Sequence, residues 1–265
     1  MTGKTQPNLQ ARRINWVPYL FVLPALVIHI ILVSGPAIST LVMSFYEWNG
    51  LGNPVFIGWQ NFQDIFRDKI VAIAIRNNLK WLSIFITVPI ILAFVVSMTI
   101  VRARRGQMFF RTVYFIPYVI SAAVAGKIWS AYFNPYYGIN SIFKAWGWTD
   151  LAKTLWIGDP KIALYSVAFV DNWHWWGFVM ILFLSALQQI DTSLYEAVRV
   201  DGANWRQELL HVSIPGILPT IAFVVIMTVM WSFLTFDYVY VMTYGNPANQ
   251  TEILATWIYK NAFVK

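Results

Sequence analysis

The residues best placed to do chemistry lie in one polar stretch between apolar blocks. It reads Glu196-Ala197-Val198-Arg199-Val200-Asp201-Gly202-Ala203, followed by Ile214-Pro215 and Pro219. The chemistry it offers is docking rather than covalent catalysis. Ser193 and Glu196 have the S-x-x-E spacing of a capping box, so Ser193 is expected to cap a helix while Glu196 reaches back. Ala197 and Ala203 keep a face slim enough for another protein to approach, and Gly202 permits a turn that a side chain would oppose. Pro215 is expected to end a second helix. The pattern is therefore a short helix, a glycine break, a second helix and a proline stop. On this reading Glu196 serves the cap.

Two further clusters place polar groups beside aromatic rings. Asp171, Asn172 and His174 lie beside Trp173, Trp175 and Trp176, and Asp237 follows Thr235-Phe236 with Tyr238 and Tyr240 nearby. Ionisable residues at membrane depth are costly and count as functional candidates. Carboxylate and amide acceptors beside flat rings suit a hydroxylated solute with C–H faces. The competing reading is an interfacial aromatic belt or helix packing, with Asp171 a paired structural charge.

Other chemistry is excluded. No G-x-x-x-x-G-K-[ST] occurs, since Gly126-Lys127-Ile128 lacks the earlier glycine and the hydroxyl residue. Hydrolysis of ATP, and any bound ATP or magnesium, is thus expected on a separate chain, with no cofactor in this one. There is no cysteine, and His29, His174 and His211 fall in different segments, an improbable metal set. No Ser/His/Asp spacing points to a nucleophile, so an enzyme is not expected.

The elements that must position these residues are membrane spans. The chain is 58% hydrophobic and 12% charged, with a mean hydropathy of +0.56, whereas a soluble domain carries about a quarter of its residues as charges. The net charge of +7 comes with few basic runs, which argues against nucleic acid as a partner. Five segments reach the roughly 20 residues a spanning helix needs: 16–45, 78–101, 112–133, 162–187 and 217–244. The expected fold is an all-α, polytopic transmembrane helical bundle. Arg102, Arg104, Arg105 and Arg111 crowd one loop, and Lys4, Arg12 and Arg13 precede the first span, so the positive-inside rule places both in the cytoplasm. Residues 1–15 then form a cytoplasmic N-terminal tail, 16–45 the first transmembrane helix, and 188–216 a cytoplasmic loop. The loops around 47–76 and 134–161 fall outside, with Trp48, Trp59, Trp146, Trp148 and Trp156 as interface aromatics. Residues 253–264 are apolar enough to begin a sixth helix, whose remainder is expected to be truncated.

The polar loop resembles the signature E-A-A-x(3)-G-x(9)-I-x-L-P of binding-protein-dependent permeases. Glu196, Ala197, Gly202, Val212, Ile214 and Pro215 match in register, with Val198 replacing the second alanine. Asp201-Gly202-Ala203 and Pro219 are similar to the carbohydrate-uptake branch of that family. So are Phe21-Val22-Leu23-Pro24-Ala25, Phe110-Arg111-Thr112, Phe115-Ile116-Pro117-Tyr118 and Trp129. Phe236-Asp237, with Thr243 and Gly245-Asn246-Pro247, resembles its F-D…T-G-G-P segment. Ile258-Tyr259 and Ala262-Phe263 resemble the stretch before its last helix.

The resemblance implies the transmembrane subunit of a type I ABC importer for a sugar or sugar-like solute. Residues 72–265 would form its transmembrane domain, incomplete at the C-terminus. Glu196, Ala197, Arg199, Asp201, Gly202, Ala203 and Pro215 would couple it to a cytoplasmic ATPase dimer. Thr235, Phe236, Asp237, Tyr240, Asp171, Asn172 and Trp173 are the solute-path candidates. Implied partners are a second homologous permease, an extracytoplasmic solute-binding protein and membrane lipid, in a bacterial inner membrane. An ion-coupled secondary transporter is a rival and would show an inverted repeat and paired intramembrane carboxylates. A non-transporting membrane scaffold is a second rival and would not need the glycine-broken helix pair.

Overall fold

The computed structural model describes residues 16–103 and 105–264. The basic residues Lys4, Arg12, Arg13 and Arg104, and the N-terminal tail 1–15, lie outside the described residues. The chain forms two units, residues 1–67 and 68–265.

In the first unit, α1 (Val17–His29), a π-helical turn (Ile30–Ser34) and α2 (Gly35–Met43) make one apolar rod. It spans Val17–Met43 and buries no residue within the chain. A helix apolar on every side needs lipid or another protein around it. Beyond it, β1 (Tyr46–Glu47) pairs antiparallel with β2 (Val55–Phe56), and α3 covers Gln60–Arg67. Asn61 Nδ2 donates to the carbonyls of Ser44 and Tyr46 and ties these pieces together.

The second unit is built on α4 (Lys69–Arg102) and α9 (Ala163–Leu187). Helix α4 starts a full two turns before the expected Asn78, because the Asp68 side chain accepts from the Ile70 amide and caps it early. Trp81, Phe85 and Ala93 of α4 pack with Val167, Val170, Trp175, Val179, Met180 and Phe183 of α9 in one core, every one of them buried. Helix α9 buries residues on all sides, and its continuous apolar run is that of a central helix.

The third expected span is not one rod. Helix α5 (Gln107–Val119) and α6 (Ala122–Tyr132) meet at a 93° bend. Pro117 sits in the last turn of α5, and Ile120 and Ser121 take extended conformations. The described residues thus hold four apolar spans, or five if the bent pair crosses as one. Helix α5 lies so close to α9 that a Cβ on Gly177 would run into the Tyr114 carbonyl.

After the short helices α7 (Ile139–Ala145) and α8 (Thr149–Ala152) and the central α9, the chain enters the polar loop. It holds α10 (Thr192–Val200), α11 (Trp205–Glu208), a second π-helical turn (Leu209–Ser213) and α12 (Ile214–Gly216). The fifth span is α13 (Leu218–Leu234) and α14 (Asp237–Met242), broken at Thr235-Phe236, and α15 covers Leu254–Phe263. Segment 243–257 is pinned to α4. Asn77 Nδ2 donates to the carbonyls of Gln250 and Glu252, the Leu254 amide donates to Asn78 Oδ1, and Trp257 Nε1 donates to Asp68 Oδ2. Buried Glu252 pairs with Lys260 at 2.5 Å, and Lys260 also donates to the Tyr244 carbonyl at 2.8 Å.

Candidate functional site

The loop 188–216 is a folded device rather than a connector. Helix α10 is capped by Asp191, whose side chain accepts from the Ser193 amide at 2.9 Å. This corrects the Ser193–Glu196 capping box: Asp191 supplies the cap two positions earlier, and Glu196 stays exposed. A true capping box does occur one helix later, where Asn204 accepts from the Gln207 amide and Gln207 Oε1 accepts from the Asn204 amide.

Gly202 has φ +80° and its missing Cβ would meet nothing, so only backbone conformation demands glycine there. The Ala203 amide donates to the Val198 carbonyl across the turn and fixes the angle between α10 and α11. Pro215 does not stop the second helix. It begins α12, directly after the wide π-helical turn has interrupted the regular ladder, a position where its missing N–H costs nothing. The helical path ends at Ile217 instead. Here Gly216 lets the chain close on Ile190, whose Cδ1 would lie 2.6 Å from an added Cβ.

The two sides of α10 differ. One side is tied down. The Arg199 guanidinium holds Glu208 through two bonds, Arg102 Nη2 lies 3.7 Å from Glu208 Oε2, and Tyr195 Oη lies 3.0 Å from Ser213 Oγ. The other side presents Ala197, Asp201 and Gly202 to solvent, with Val200 87% exposed, while Glu196, also exposed, stands at the edge beside Tyr195 and Arg199. Ala203 is half-buried behind the turn. A cleft of 420 Å³ runs behind the helix between Arg102, Gln188, Thr192, Tyr195, Glu196 and Arg199. Arg111, read from sequence as a topology marker, donates to Gln188 Oε1 at 2.6 Å.

Glu208 and Val200 were missed by the sequence reading. Glu208 is buried, and its carboxyl sits below the usual carboxylate range because Arg199 hydrogen-bonds it and Arg102 adds its charge. Val200 was legible as an apolar side chain on a polar loop helix, a pattern that marks a contact surface.

The solute-path candidates separate into two groups. Asp171 is fully buried, and Trp231 Nε1 donates to its Oδ2 at 3.4 Å while Trp81 and Thr235 face it. Asn172 is buried and donates to the Ala168 carbonyl one turn back. Trp173 packs edge-on to Trp129 at 5.4 Å. His174 Nε2 lies 2.8 Å from the Ile120 carbonyl, which can only accept, so the ring donates to the backbone freed at the α5–α6 bend. This cluster is packed interior within the chain. At the break in the fifth span the arrangement is open. Thr235 is buried, but Asp237 is exposed, and Phe236 stacks on Tyr240 with ring centroids 4.9 Å apart. Tyr259 of α15 closes on both rings at 5.3 Å, an aromatic partner the sequence clusters did not include.

A bundle of apolar helices with a structured polar loop before its broken last span is the architecture of a polytopic membrane protein. Comparison with known proteins agrees. Residues 89–264 match the family described as "Binding-protein-dependent transport system inner membrane component", and the chain belongs to that family. It is 34% identical over 255 residues to the "Probable ABC transporter permease protein YurN" of Bacillus subtilis, covering 94% of this chain and 86% of that one. It is 30% identical over 245 residues to the "Probable starch degradation products transport system permease protein AmyD" of Thermoanaerobacterium thermosulfurigenes, covering 92% and 82%. Its fold matches a chain of a bacterial alginate ABC transporter solved in complex with an alginate pentasaccharide-bound periplasmic protein. The TM-score is 0.79 at 22% identity, over 92% of this chain and 82% of that one. The chain is thus a multi-pass membrane permease subunit of the ABC class.

Proposed function

We propose that this permease moves a sugar or sugar-like solute into the cytoplasm of a bacterial cell, driven by a separate ATPase dimer that grips the loop 188–216. A second homologous permease completes the pore, and an extracytoplasmic solute-binding protein delivers the cargo. The N-terminus and the loop both face the cytoplasm, in keeping with Arg102, Arg105 and Arg111 near the loop's end of the bundle. The observation that carries this reading is the two-sidedness of α10: one side is anchored to the bundle, while Ala197, Val200 and Asp201 stand free for a partner and Glu196 is exposed at the edge between the two sides. Ala197, Gly202 and Ala203 keep that face slim, and Pro215 lets the loop run into the fifth span. AmyD, named for starch degradation products, and the alginate transporter support a carbohydrate cargo.

The mechanism in this reading is mechanical. ATP and magnesium supply closure of the partner dimer. The loop converts that closure into movement of the spans, a rigid-body change of access rather than bond chemistry. Phe236, Tyr240 and Tyr259 offer ring faces for sugar C–H groups, and the exposed Asp237 carboxylate accepts from hydroxyls. Asp171, Asn172, Trp173 and Thr235 shape the wall behind them.

Purification of the chain with its co-expressed neighbours, followed by reconstitution in vesicles, tests the reading. Uptake should require ATP and should favour one member of a panel of mono- and oligosaccharides and glycerol 3-phosphate. Uptake driven by an ion gradient without ATP, or no nucleotidase bound to the purified chain, overturns it.

A further inference from the structure

Glu208 joins three elements that the sequence keeps apart. It lies in α11, pairs with Arg199 in the last turn of α10, and sits 3.7 Å from Arg102, the last residue of α4. Its side chain is only 8% exposed, against 59% for Arg199 and 51% for Arg102. The carboxylate is the enclosed member and the two guanidiniums close over it. The other side-chain ties on this loop run within it, to its own flanking spans or, through Gln188, to Arg111 of α5. Tyr195 reaches Ser213, and Gly216 abuts Ile190. Among the described residues, Glu208 makes the loop's ion pair with α4, the 34-residue helix whose Trp81 and Phe85 form the bundle core against α9 and whose Asn77 and Asn78 hold the 243–257 segment at its far end.

We infer that Glu208 is a positioning residue for transport: its bridge to Arg199 and Arg102 makes α10 and α4 move as one body. This inference rests on the proposed role of the loop in engaging an ATPase. Arg199, grouped by sequence with the docking residues, thereby acts inward, holding Glu208, while Glu196 and Ala197 act outward. A bidentate arginine fork is suited to this, since two parallel bonds fix orientation as well as distance. A displacement of α10 then reaches the opposite end of α4 through a continuous helix, without passing through the polar loop backbone.

The test compares Glu208→Gln, Arg102→Gln and the double variant in the reconstituted complex, reading solute uptake, ATP hydrolysis and co-purification of the ATPase. Arg102 is half-exposed at a helix end, so Arg102→Gln keeps the fold even if Glu208→Gln loosens the loop. Each single variant should raise the ATP hydrolysed per solute transported at least fivefold, with ATPase retained. The double variant should be no worse than the worse single one, and Glu208→Asp should recover part of the loss. An unchanged ratio in both single variants overturns the inference, as does loss of the ATPase from both, which would make the bridge part of docking alone. Absence of an ATPase from the wild-type complex sinks the proposed function instead.

Discussion

Arg199 and Glu208, nine residues apart and on opposite sides of the Gly202 turn, are joined by Nε to Oε1 at 2.5 Å and Nη2 to Oε2 at 3.2 Å. The turn sets the angle between α10 and α11, and the ion pair locks it.

That lock is pH-sensitive in a defined direction. The Glu208 carboxyl is held below its ordinary range by Arg199 and Arg102. A depressed carboxyl contributes stability that is fully present above its unfolded pKa and fades as pH falls through the folded one. The protection factors of amides in 192–216, taken relative to the intrinsic exchange rate at each pH, should therefore be high at neutral pH and fall on acidification below the normal glutamate range. In Glu208→Gln the same amides should exchange faster at neutral pH and lose most of that acid response.

Gly202 and Gly177 should be destabilised to very different extents by the same change. At Gly202 an added Cβ meets open space but must adopt φ +80°, so Gly202→Ala costs about 1 kcal/mol. At Gly177 the Cβ would strike the Tyr114 backbone carbonyl, and separating α5 from α9 costs about 3 kcal/mol or more. Thermal unfolding in detergent should show a small shift for the first and a large one, or no folded protein, for the second.

Gly202→Pro or a bulky residue at Ala197 should leave the spans folded, because both positions are exposed. Uptake should nevertheless fall at least tenfold as ATP hydrolysis ceases to depend on solute. Retention of normal uptake in both variants would remove the loop from the coupling route.

Asp171 offers a third contrast. Asp171→Asn keeps an acceptor for Trp231 Nε1 and removes a buried charge, so stability should change by less than about 1 kcal/mol. Asp171→Leu leaves the indole without its acceptor and costs about 1–3 kcal/mol. Because the carboxylate is sealed within the chain, solute KM should be unchanged in the Asn variant. A raised KM there would show that the side chain reaches the translocation path.

Much of the fold was readable because apolar runs of spanning length leave few alternatives, and the spans at 16–45 and 162–187 fall within a few residues of the helices formed. The bend between α5 and α6 was not, since Pro117 is compatible with a straight membrane helix as well as a broken one. What decides the matter is His174, 54 residues away, which donates to the carbonyl exposed at the bend. The loop's outward face was legible from Glu196, Ala197 and Gly202. Its inward face was not, because Glu208 reads locally as one more loop charge and Arg102 as one of several basic residues. Their meeting depends on how α4 and α11 are brought together, which no local pattern encodes. Likewise Asp191 and Ser193 both have the chemistry of a cap, and only the backbone at residue 191 chooses between them.

The π-helical turns at Ile30–Ser34 and Leu209–Ser213 each end two residues before a proline, Pro36 and Pro215. Each wide turn accommodates a residue more than a regular α-helical path would hold. In an α-helix one residue corresponds to about 100° of rotation. Removing a single residue from 209–213 would thus regularise the helix yet swing everything ahead of it by roughly that angle. Glu208 would then point away from Arg102, and evolutionary insertions or deletions at this spot would be among the least tolerated in the chain.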